Sequence, residues 1–125
     1  MLDVFEYAVL RVVPRVERGE LMNVGVIVYC RARDFLDCRC WVDDTRLRAL
    51  DPALDLDGVR AALQAVSRMC QGGQAAGQAA DQPPGARFRW LTAPRSTVLQ
   101  PGPVHAGLTD DPAAELDRLF RTLVQ

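Results

Sequence analysis

FEYAVLRVV (Phe5–Val13) and LMNVGVIVYC (Leu21–Cys30) decide the fold. Both stretches are rich in apolar and β-branched residues, and the turn-prone Pro14-Arg15-Val16-Glu17-Arg18-Gly19 separates them. Two such runs joined by a loop predict an antiparallel hairpin. Placing Arg11 opposite Asn23 sets Val9 against Gly25, Tyr7 against Ile27 and Phe5 against Tyr29. That register gathers aromatic and aliphatic side chains on one face. Gly25 weakens the middle of a β-branched strand, so a bulge or a closely packed neighbour is expected there. Asn23 is the odd polar residue in an apolar run. A hydrogen bond closing the bulge is its simplest role, and a ligand contact is the alternative.

Downstream, Phe35–Val42 alternates, with Leu36, Cys38, Cys40 and Val42 on one side and Asp37, Arg39 and Trp41 on the other. This is the pattern of a half-buried strand. Asp43-Asp44-Thr45 suits the cap of a short helix running to Leu50 and stopped by Asp51-Pro52. Leu56, Val59, Leu63, Val66 and Cys70 form the stripe of a longer helix, entered at Asp55 or Asp57 and stopped by Gly72-Gly73. Gln74–Gly85, QAAGQAADQPPG, is low in complexity and reads as a mobile surface linker around residues 72–86, or as one more turn of that helix. A last helix has Asp110-Asp111 as cap, Pro112 at its first position, and Leu116, Leu119, Phe120 and Leu123 on one face.

At 125 residues the chain suits one domain that buries a core without covalent staples. A net charge of −1 gives no bulk attraction to nucleic acid or anionic lipid. No apolar run approaches the ~18 residues of a membrane span, and MLDVFEYAVLRVV lacks signal-peptide character. A cytoplasmic protein with its four cysteines as thiols is expected.

Candidate chemistry concentrates in Arg87–Thr109, RFRWLTAPRSTVLQPGPVHAGLT. It holds Trp90, the single His105, Arg87, Arg89, Arg95 and three of the eight prolines. Polar side chains between turn-formers, without helical periodicity, read as a loop carried on a scaffold. If Arg87-Phe88-Arg89-Trp90 is a strand, Phe88 and Trp90 take the core face; the net charge argues against a base-stacking platform. His105 has Ser96, Thr97, Asp110 and Asp111 as possible partners, but no nucleophile elbow or Ser-His-Asp order accompanies it. Structural hydrogen bonding or a partner contact fits His105 better than catalysis. Arg11, Arg18 and Arg95 offer guanidinium forks for an anion pocket, although sequence does not place them together. Cys38 and Cys40 share one strand face, and Cys30 can approach from the neighbouring strand. The apolar phases of Cys38, Cys40 and Cys70 nevertheless argue for core thiols and against a metal centre. Gly72-Gly73 lacks the Lys and Ser/Thr of a phosphate loop, so no cofactor is indicated.

The segments Tyr7–Pro14, Arg18–Val26, Arg87–Gln100 and Pro103–Pro112 together resemble the small bacterial family DUF3037. The resemblance covers nearly the whole chain and is weakest over Gln74–Gly85. That family has no established activity, so no catalytic residue is carried over. Its members are often encoded beside a HipA-like serine/threonine kinase, which implies a protein partner or regulator of that kinase. The matching positions offered as a candidate binding surface are Arg11, Arg18, Glu20, Asn23, Trp90, Arg95, Ser96 and His105, with Arg95 expected to contribute more than His105.

Together these observations predict a single α+β domain over residues 1–125. An antiparallel sheet of three to five strands carries helices on one face and a C-terminal helix. The leading functional expectation is a non-enzymatic cytoplasmic binding module, a partner of a HipA-like kinase, with no cofactor and no metal. A small enzyme or nucleotide- or phosphate-binding protein using Arg11, Arg95, Ser96 and His105 is the alternative. A DNA-binding accessory is third.

Overall fold

β1 (Asp3–Val12) and β2 (Met22–Cys30) form the hairpin, joined through a 3-10 turn at Val16–Arg18 that Gly19 closes at φ 70°. The computed structural model describes all residues, 1–125. β3 (Phe35–Cys40) pairs with β2. On the other side of β1, β4 (Leu99–Pro101) and β5 (His105–Thr109) lie end to end, pairing with its second and first halves respectively. All pairings are antiparallel, which gives the order β3-β2-β1-β4 with β5 beside β4 on β1.

The hairpin register agrees with expectation at Arg11–Asn23 and departs from it beyond. Leu10 faces Gly25, Ala8 faces Ile27 and Glu6 faces Tyr29, one position away from the expected Val9, Tyr7 and Phe5. The ladder shifts between Leu10 and Arg11, where Val24 is the extra residue. A bulge inserts one residue and so reverses the in–out parity of everything beyond it. The consequence is that Met22 and Val24 face the same side as Ile27 and Tyr29, while Val26, Val28 and Cys30 face the opposite side. Both faces of β2 are therefore apolar, and both are covered.

Four α-helices do the covering. α1 (Asp44–Leu50), α2 (Leu56–Gln71) and α3 (Pro84–Leu91) lie on one face, over Leu10, Val12, Val24, Ile27 and Tyr29. α4 (Pro112–Leu123) lies on the other, with Leu116, Leu119 and Phe120 against Phe5, Val26, Val28 and Cys30. Each fully buried Leu, Ile or Phe of these layers contributes roughly 1.5–3 kcal/mol of transfer free energy. The caps are local and read as expected: Asp43 accepts from the Arg46 N–H, Asp55 from the Gly58 N–H and Asp111 from the Ala114 N–H. No helix is long and apolar enough to cross a membrane.

Two expectations are corrected. Arg87–Trp90 is helical, because Pro83 and Pro84 open α3 with proline at its first position. Phe88 is fully buried and stacks on Tyr29 with ring centroids 5.3 Å apart, whereas Trp90 stays 57% exposed. Before α3, two short 3-10 turns lie within Gly73–Ala79 on either side of a kink at Gly77. Cys30 is the second correction. It faces α4 and lies 3.5 Å from the Val4 carbonyl, so it cannot join Cys38 and Cys40, which face α2.

Candidate functional site

α2 shows its apolar stripe to the sheet, and the residues beside that stripe are small. Ala62 and Ala65 leave room next to Val59, Val66 and Met69, and α3 stops short at Leu91. The Arg95–Leu99 segment then returns toward β4 across the gap. A groove of about 500 Å³ results, with ten hydrophobic residues among the fourteen that line it. Trp90 and Val98, 57% and 42% exposed, stand at its edge.

Arg95 shapes this edge from within. Its Nη2 donates to the Trp90 carbonyl at 2.7 Å, and its guanidinium lies 4.9 Å from the centre of the Trp90 ring. Its charge is thus engaged with its own loop, and it holds the indole in place. Ser96, next in the chain, is exposed.

A second arginine, Arg87, fixes the groove's two walls together. It is buried, and its Nη1 donates to the Met69 and Cys70 carbonyls at 2.6 and 2.9 Å while Nε donates to the Gln82 carbonyl at 3.1 Å. The Met69 and Cys70 carbonyls are ones that the end of α2 cannot satisfy internally. Gly72 makes this possible: its φ is +73°, and a Cβ there would lie 2.8 Å from the guanidinium. In the sequence the Gly72-Gly73 pair reads as a helix stop, and nothing local assigns Arg87 this role. The one available signal was the Gly-Gly pair itself, which permits a close approach without naming what approaches.

The other candidate residues are scattered. Arg18 and Glu20 pair with each other in the exposed hairpin turn. Asn23 sits on the α4 face and donates to the Leu123 carbonyl at 3.0 Å, a tether between β2 and α4 in place of the expected bulge-closing bond. Arg11 lies opposite Asn23 on that same face. His105 is exposed on β5 and packs on Tyr7, ring centroids 5.3 Å apart. The Asp111 carboxylate caps α4. The structure therefore brings together Trp90 and Arg95, places Arg11, Asn23 and His105 across the opposite sheet face, and leaves Arg18 away from both.

Between α2 and β3 the thiols of Cys38, Cys40 and Cys70 meet beside Ser67. Hydrogen bonding from Cys40, then from Cys70, pulls the Cys38 thiol well below its ordinary range, with burial opposing and Ser67 adding a smaller contribution. The hydrogen bond to Cys38, with burial, pushes Cys40 and Cys70 up.

A family model described as a protein of unknown function, DUF3037, matches residues 7–124. The chain belongs to this family. The groove, Arg11, Asn23 and His105 all lie inside the matched span. No curated protein and no solved structure matches the chain.

Proposed function

We propose that this DUF3037 member is a non-enzymatic binding module that receives an apolar segment of a protein partner in the groove between α2 and α3. The observation that carries the reading is the groove itself, with an exposed Trp90 held at its rim by Arg95. Its volume falls in the range of built binding clefts, about 300–1,000 Å³. A tryptophan fixed at the edge of an apolar cleft is the residue type that dominates protein interfaces. The partner we propose is a HipA-like serine/threonine kinase, which the family resemblance suggests, and the setting is the cytoplasm. His105 supports the non-enzymatic side of the reading, since its neighbour is an aromatic ring and the Asp111 carboxylate is engaged elsewhere.

The test is capture of a purified HipA-like kinase by wild type, Trp90→Ala and Ala62→Arg. Ala62→Arg puts a long charged side chain on the groove lining. Each variant is expected to weaken binding by a factor on the order of thirty, the loss typical of an interface hot spot, at unchanged melting temperature. A kinase that does not bind, or that binds both variants as well as wild type, overturns the reading.

A further inference from the structure

Arg11 is set apart from the other arginines by one fact. Its Nε is sealed from solvent and meets no hydrogen-bond acceptor, and it is the one buried side-chain nitrogen or oxygen in this condition. None of the salt bridges reaches it. Buried donors are almost always paired, and a cationic one left alone carries the largest penalty. Only Nε is sealed in this way; the two Nη groups stay open to what enters from solvent, and no carboxylate of the chain meets them.

The surroundings of Arg11 fit a ligand. Tyr7, Val9 and Arg11 alternate onto the face that α4 occupies, yet α4 packs over β2 and β3 and leaves this part of β1 half-exposed. Gln100 on β4 pairs with Arg11, and His105 on β5 pairs with Tyr7. Between them β4 and β5 are interrupted at Gly102, whose N–H donates to the Val9 carbonyl at 2.7 Å. A Cβ on Gly102 would sit 3.6 Å from the Arg11 Nη1 and 3.8 Å from its Cζ, so the guanidinium lies directly against this bare backbone. Pro101 and Pro103 on either side supply no N–H. The notch thus has one permanent positive charge, an amide on one flank and an imidazole on the other.

We propose that Arg11 anchors a carboxylate-binding site in this notch, on the opposite sheet face from the α2–α3 groove and independent of it. The guanidinium fork, closing through its two Nη groups, matches the two oxygens of a carboxylate. A single permanent cation balances a monoanion and leaves a phosphoryl dianion uncompensated, which selects the carboxylate. The carboxylate comes either from a free acid or from a chain end.

The arginine Nε–H signals in heteronuclear NMR test this, with the Arg11 signal assigned by through-bond correlation to its own backbone. Acetate stands for the free acid and N-acetylglycine for the chain end, each titrated against chloride at matched ionic strength. The Arg11 signal is expected to shift and saturate with carboxylate while the other arginines drift slightly. Tighter saturation by N-acetylglycine supports a chain end as the source, and equal saturation supports any small acid. Arg11→Lys keeps the charge without the fork, and its melting temperature is expected to lose the wild-type rise in acetate. No saturation with either carboxylate, or earlier saturation with inorganic phosphate, overturns the proposal.

Discussion

The side-chain amide of Asn23 on β2 donates to the carbonyl of Leu123, one hundred residues later in the last turn of α4. The last carbonyls of a helix have no partner within it, so this bond both satisfies one of them and fixes where α4 ends on the sheet. Asn23→Ala removes the donor and leaves the carbonyl half-buried. The expected loss is about 1–2 kcal/mol, read as a lower midpoint in urea unfolding with unchanged slope. An unchanged midpoint means that water replaces the amide without cost.

Gly25 has ordinary backbone angles, so its need for glycine is spatial. A Cβ at this position meets the Cys40 Sγ at 3.0 Å, the Arg39 carbonyl oxygen at 3.1 Å and the Leu10 Cδ1 at 3.3 Å. The carbonyl belongs to the paired strand and cannot yield without disturbing the ladder. Gly25→Val is expected to cost about 1–3 kcal/mol through overpacking, and Gly25→Ala less. Thermal melts of the two variants check the order; a valine variant as stable as wild type removes the packing argument.

Replacing Arg87 by Met retains bulk and removes three hydrogen bonds at once. The carbonyls of Met69 and Cys70 are then left at the buried end of α2, and the expected destabilisation is roughly 2–4 kcal/mol. Amide hydrogen exchange adds a positional check, since the last turn of α2 and the first turn of α3 should lose protection before the sheet does. Uniform loss across the whole chain contradicts a local tie.

Cys38 is expected to react first among the four cysteines with iodoacetamide. Its pKa is lowered, so the thiolate is already formed at neutral pH, and its labelling rate should change little between about pH 6 and about pH 8. An ordinary thiol gains roughly tenfold in rate per pH unit below its own pKa. Mass spectrometry of partly labelled protein gives the order. Ser67→Ala should leave the Cys38 rate at neutral pH nearly unchanged and move its onset in acid to slightly higher pH, because the hydroxyl is the smallest of the groups that favour the thiolate. If Cys38 shows the same steep pH dependence as an ordinary thiol, the cluster does not activate it.

What the sequence determined alone is the set of features whose causes lie within a few residues. Asp43, Asp55 and Asp111 cap the helices they precede because the cap bond spans three residues. The α2 stripe at Leu56, Val59, Leu63 and Cys70 is buried because helical spacing puts those positions on one side. Alternation in Leu36–Cys40 shows which side of β3 faces the core. From these the α+β class, the hairpin and the C-terminal helix were all legible.

Only the tertiary structure decided the rest, and the reason is distance along the chain. One inserted residue at Val24 turned the parity at the start of β2 and sent Asn23 toward α4, while the β2–β3 register, with Cys30 opposite Phe35, put Cys30 and Cys38 on opposite faces. No local pattern marks which of two apolar residues is the inserted one. The segment from Arg87 carried too weak a periodicity to show that Phe88 would be sealed under Tyr29 while Trp90 stayed exposed. Fifteen arginines look alike in sequence. Their separate fates, Arg87 enclosed by carbonyls, Arg95 folded onto Trp90 and Arg11 left without an acceptor, follow from which backbone oxygens and carboxylates the fold carries within reach of each.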